Sequence, residues 1–79
     1  MKHRTSMIVR RVGRNLATAR TGASLTQEQV AERMGMKMTQ YARMERGGHD
    51  TGVSHYLDAA WAIGMDPAAL FHRLEKRMP

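Results

Sequence analysis

Apolar residues in this chain recur only at helical spacing, and they do so in short blocks that glycines close. Val9, Val12, Leu16 and Ala19 form the first block, before Gly22, and Val30, Ala31 and Met34 form the second, before Gly35. Tyr41 and Met44 mark a third, stopped by Gly47 and Gly48; Val53, Tyr56, Leu57, Ala60 and Ile63 stripe a fourth, ended by Gly64. Leu70, Phe71 and Leu74 are the inward positions of a fifth. Alternation with period two never persists long enough to make a strand. The pattern therefore predicts an all-α, five-helix domain, with helices over about 6–20, from 27 for about two turns, from 37 or 38 to 46, over 53–63, and from 67 onward.

The helix starts are equally local. Thr26-Gln27-Glu28-Gln29 has the form of a capping box, with Leu25 and Val30 spaced as a hydrophobic staple. Asp66 as cap, Pro67 at the first helical position and a Met65 to Leu70 staple open the last helix. A chain of 79 residues makes one module with a thin core, since a domain this small buries only about 60 % of its unfolded surface, and association with a second copy would help it. There is no cysteine, which excludes disulfides, thiolate metal sites and thiol catalysis and points to the cytoplasm. No run of apolar residues approaches a membrane span, and residues 1–14 lack the apolar run of a signal peptide.

The charge is lopsided. The formal net charge is +6, and residues 1–25 carry Lys2, Arg4, Arg10, Arg11, Arg14 and Arg20 with no acid, whereas bases and acids balance from Thr26 onward. The excess predicts an anionic partner, first of all double-stranded DNA, because phosphate neutralisation supplies most sequence-independent affinity. The alternative is a basic terminus that is merely solvated. A membrane surface fits less well, since no helix pairs the charge with an exposed bulky apolar face.

Catalysis finds no foothold. His3, His49, His55 and His72 are scattered, no metal-binding histidine pair occurs, and His49-Asp50 in a glycine-rich loop reads as a solvated turn. Met34, Met36, Met44 and Met65 fall on inward or turn-sealing positions, so they read as core filling. No enzyme, metal or cofactor is expected.

Residues 27–46 carry the functional signal: two short helices joined by a tight turn at Gly35, with Ala31 small at the crossing and Val30, Met34, Met36, Tyr41 and Met44 sealing both to the body. This spacing, with LTQEQVAERMGM, the MERG at residues 44–47 and the ending AWAIGMDPAALF, resembles the helix-turn-helix of the phage Cro and repressor family over about residues 12–71. The resemblance implies a lambda-repressor-like fold whose second motif helix lies in the major groove. It implies that Met38, Thr39, Gln40 and Arg43 meet base edges, and that Gln27, Lys37, Arg46, Arg10 and Arg11 meet phosphates. It also implies an ion pair between Arg20 and Glu45.

The chain departs from the family pattern at several points. Lys37 stands where a capping Ser, Thr or Asp is usual, at a cost of about 1 kcal/mol that an arriving phosphate would offset; the alternative shifts the cap to Thr39. Tyr41 replaces a branched aliphatic residue and is expected to send its hydroxyl to the rim. Ser24 replaces a glycine, which suggests a rearranged loop, and Thr51-Gly52 replaces Pro-Ser. Trp61 lies at the edge of the fourth inward stripe, where a polar residue is common, and reads either as a partner surface or as local packing.

The resulting expectation is a basic arm at 1–5 followed by a DNA-binding domain at 6–79. It would act as a homodimeric transcriptional regulator, a repressor at an inverted repeat, paired through Trp61, Phe71, Leu74 and Met78. The rival expectation is an antitoxin-like module that sequesters a partner protein and controls its own promoter. Under either reading a protein partner, a toxin or polymerase, is compatible with the surface.

Overall fold

Local signals decide where most of the helices stop and start. The computed structural model describes the backbone of residues 2–74 and the side chains of residues 6–74. It contains α1 (Lys2–Gly22), α2 (Gln27–Met34), α3 (Met38–Arg46) and α4 (Val53–Ile63), followed by a 3-10 turn, Pro67–Phe71. Thr26 caps α2 as its sequence predicts: its hydroxyl accepts from the Gln29 amide at 3.0 Å, and the Gln29 side chain accepts from the Thr26 amide at 2.8 Å. Gly35 and Gly47 each take φ 69°, the left-handed conformation that ends α2 and α3 without a Cβ penalty.

The core is built from one face of every element. Leu16, Val30, Ala31, Tyr41, Met44, Ala59, Ala60 and Leu70 are almost wholly buried, with Val12, Tyr56 and Ile63 beside them. Met34, Met36 and Met65 pack against this cluster and close its edges. The tightest seam is the crossing of α1 over the end of α3. A Cβ on Gly13 would stand 2.6 Å from the Met44 carbonyl oxygen and press on that of Glu45, and a Cβ on Gly47 would stand 2.6 Å from Arg10 Cα. Glycine in the interior of α1 costs about 1 kcal/mol of helix propensity, and the backbone approach it permits is what offsets that cost.

Above this seam, α1, α2 and α3 share one carboxylate. Arg20 Nε donates to Glu45 Oε2 at 2.6 Å and Arg20 Nη2 to Oε1 at 3.1 Å, while Gln27 Nε2 donates to Oε1 at 2.9 Å. Arg20 Nη1 also donates to the Leu25 carbonyl at 2.9 Å, which ties in the loop between α1 and α2. The pair is 15 % and 7 % exposed, so each partner depends on the other for solvation of its charge. Burial works to raise the Glu45 pKa, but the Arg20 guanidinium, first of all, and the Gln27 amide outweigh it and hold the carboxyl below its ordinary range. Tyr41 corrects the expectation of a hydroxyl at the rim: the residue is fully buried and its Oη has no hydrogen-bond partner among the described residues. Tyr41 is enclosed within the core cluster between α1, α2 and α3. That burial, and then the neighbouring Glu45 carboxylate, push the phenol pKa far up.

Four other expectations are corrected. α1 begins at Lys2 and not near Ser6, because no proline or glycine interrupts residues 2–12. Residues 2–5 therefore continue α1, where the sequence suggests a separate arm. The fifth helix is only a 3-10 turn. In an α-helix the Leu70 carbonyl would accept from Leu74; here it accepts from Asn15 Nδ2 at 2.7 Å, as does the His72 carbonyl at 2.8 Å, and Leu74 N–H turns back to Phe71. With three residues per turn, Leu70 points inward while Phe71 is left 52 % exposed. Val53, placed inward by its spacing, is exposed because it opens α4 beyond the end of the core. Ser24 holds the loop before α2 by adopting φ 58° itself, so the turn is not shifted to Gly22.

Three outcomes follow from this seam and the ion pair above it. Gly13→Ala should lower the thermal midpoint even though alanine is the better helix former, with a net loss of about 1–3 kcal/mol in denaturant titration. Stability should hold from neutral pH down to about 4.5, the ordinary glutamate value, and fall as Glu45 is protonated below it. Glu45→Gln should cost on the order of 3 kcal/mol at neutral pH and make the acid limb of the stability curve shallower.

Candidate nucleic-acid interface

α2 and α3 meet through a turn in which the Gly35 amide and then the Met36 amide return to carbonyls of the last turn of α2, the latter to Ala31 at 3.0 Å. This turn sends the chain sharply into α3 and exposes one side of it. Tyr41 and Met44 bind α3 to the core, which leaves Met38, Thr39, Gln40 and Arg43 on its outward side, all exposed.

The amino end of α3 has no side-chain cap. Lys37 is the cap residue with extended backbone angles, and its ammonium group cannot accept from the first-turn amides. Thr39 does not take over this role, since α3 already starts at Met38. The one compensation is Gln40, whose Oε1 accepts from the Lys37 amide at 3.1 Å. The first turn thus combines uncapped N–H groups, the positive end of the helix dipole and an exposed lysine, an arrangement suited to an anion.

Gln27 opens α2 but is half-buried, and its amide group holds Glu45. Arg46 is exposed at the far end of α3, about 13 Å from Lys37 for nine residues, and lies together with Arg10 and Arg11 on the α1 seam. The candidate contacts therefore form two groups, Lys37 to Arg43 at the turn and Arg46 with the α1 arginines behind it. Trp61 is 64 % exposed on α4 and Phe71 exposed on the 3-10 turn, whereas Leu74 packs against the core. Met78 lies outside the described residues.

Sequence reasoning missed the neighbours of Arg43. Gln40, Arg43 and Met36 share a shallow groove of about 320 Å³ with His49, Asp50 and His55 from the segment after α3. Asp50 Oδ1 accepts from the Gly52 amide at 2.8 Å, and His55 Nδ1 lies 2.8 Å from the Thr51 carbonyl, which shapes this wall. The available signal was proximity in sequence to α3. Among the described residues no group of three or more His, Asp or Glu side chains could hold a metal ion, and no helix is long and apolar enough to cross a membrane.

Known proteins align with this geometry. Residues 11–74 match the model of a helix-turn-helix domain. The fold is similar to that of the restriction-modification controller protein C.AhdI from Aeromonas hydrophila, with a TM-score of 0.74 and 28 % sequence identity over 80 % of this chain and 96 % of that one. No curated protein matches the chain. By the family model and by the exposed α3 that its turn presents, the chain belongs to the helix-turn-helix domain family and is a DNA-binding protein of transcription regulation.

Proposed function

We propose that this protein is a sequence-specific repressor that binds an inverted repeat in double-stranded DNA as a homodimer. The observation that carries the reading is the outward side of α3, where Met38, Thr39, Gln40 and Arg43 stand exposed above buried Tyr41 and Met44. In a major groove, Arg43 is suited to a bidentate pair with guanine, Gln40 to adenine and Met38 or Thr39 to a thymine methyl. Lys37 and the uncapped first turn of α3 take one phosphate, and Arg46 takes another. Gln27 has a second amide hydrogen to offer while it keeps Glu45, and the amino end of α2 favours the same anion.

The homodimer rests on apolar surface that the monomer leaves in water. Trp61 and Phe71 are each more than half exposed, and aromatic residues of this kind are enriched at the centre of interfaces. Leu74, at the border of the core, and Met78 complete the proposed contact. Paired in this way, two α3 helices would enter successive major grooves about 34 Å apart on one side of the duplex. The likeness to a controller protein of a restriction-modification system supports a regulatory role.

Selection from a random duplex pool tests the reading directly, and an inverted repeat should be enriched. Arg43→Ala should lose about 1–3 kcal/mol of discrimination at one position of each half-site while keeping salt-sensitive binding; unchanged discrimination removes Arg43 from the reading residues. Trp61→Ala should shift sedimentation toward the monomer without unfolding the chain, and a variant that stays dimeric would move the interface elsewhere.

A further inference from the structure

The outward side of α1 carries a second basic surface that the base-reading side of α3 does not use. Arg10, Arg11 and Arg14 recur at helical spacing on the side of α1 away from the buried Val9, Val12 and Leu16. With Arg46 from the end of α3 they line a cleft of about 350 Å³. Arg11 and Arg14 also line an adjoining cleft of about 480 Å³, which reaches Arg73 beyond the 3-10 turn. The band thus runs from the end of α3, across α1, to the last described turn of the chain.

Its charge is uncompensated among the described residues. The one acid among the described residues that lines either cleft is Glu45, already bound twice by Arg20 and once by Gln27. Among the described residues none of these five arginines makes an ion pair, and Arg11 Nε is buried with no acceptor. Guanidinium groups gathered without counter-charge repel one another and stabilise the surface only when an anion arrives. Arg10 and Arg14 are about 6 Å apart along the axis of α1, and with Arg46 and Arg73 they extend the band beyond the reach of a single small anion. The aromatic and aliphatic centre that a protein partner would use is missing, since both clefts are lined almost entirely by polar and charged residues.

The band is also fixed to the reading helix. Arg10 Cα sits against Gly47, directly after α3, at a distance that only glycine permits, so α1 and the end of α3 lie in direct backbone contact beside Arg46. We propose that this arginine band grips the phosphate backbone of duplex DNA flanking the bases read by α3, so that the bound duplex is longer than the groove contact requires. The proposal rests on the DNA-binding reading above and extends it to Arg14 and Arg73, residues that the base-reading site does not include.

The test is a salt titration of the full chain on a 40-base-pair duplex carrying the selected site at its centre, and on the same site trimmed of its flanks. Arg10→Gln/Arg14→Gln should make the slope of log K against log salt shallower by about 1.8 on the long duplex, the value for two lost phosphate contacts, with base preference unchanged. On the trimmed duplex the variant and the parent should bind alike. Arg33→Gln removes one charge at the other end of α2, where the guanidinium meets the Ala62 carbonyl, and should leave the slope as it is. Equal slopes for the parent and the double variant overturn the proposal and leave the band to an acidic protein surface; an equal loss per charge in Arg33→Gln overturns it as general electrostatics. If the parent binds neither duplex at low salt, the DNA reading itself fails together with this extension. Unchanged circular dichroism and melting of the double variant separate loss of contact from loss of fold.

Discussion

Glu45 is the point through which the three helices of the DNA-binding half are held to one another. Its carboxylate accepts from Arg20 of α1 and Gln27 of α2 while Glu45 itself lies in the last turn of α3, so one group ties the three helices together. In water such a pair would contribute little, because each ion would be solvated separately. Here the side chains are 15 % and 7 % exposed, and removing either partner strands a charge that the protein cannot solvate. Beside the pair the Tyr41 hydroxyl is enclosed with no hydrogen-bond partner among the described residues, a polar defect that the core carries at the base of the reading helix.

Rigidity at this point has a functional consequence. α3 is only nine residues long and would not hold its shape as an isolated helix. It holds it because Tyr41 and Met44 are buried, because Gly13 lets α1 lie directly on its last carbonyls, and because Glu45 is clamped from two sides. Its amino end, by contrast, is left electrostatically incomplete: Lys37 gives no cap, and Gln40 supplies only the reciprocal half of a capping box. Fold stability is thus concentrated at the carboxyl end of α3 and unsatisfied positive potential at the amino end. A phosphate arriving there would complete a terminus that the protein itself leaves open.

The candidate site was legible in the sequence to an unequal degree. Burial of Tyr41 and Met44 in α3 could be read from periodicity, whereas the outward set of Met38, Thr39, Gln40 and Arg43 was implied by the resemblance. The ion pair of Arg20 and Glu45 was not local information and was suggested only by resemblance, since nothing in either segment names its partner twenty-five positions away. The groove wall of His49, Asp50 and His55, and the meeting of Arg46 with the α1 arginines, depend on how the chain returns after α3 and leave no periodic trace.

By itself the sequence determined the helical class, the capping box at Thr26, the glycine stops and the inward stripes, because each of these is settled by a group and its neighbours within about four residues. Only the tertiary structure decided where the last helix gives way to a 3-10 turn, since Asn15 takes carbonyls 55 and 57 positions along the chain. It alone decided why α1 carries glycine at position 13, whether Tyr41 reaches solvent, and which arginines share a surface. These outcomes turn on close approaches and shared charges between segments far apart in the chain, and no local propensity encodes such distances.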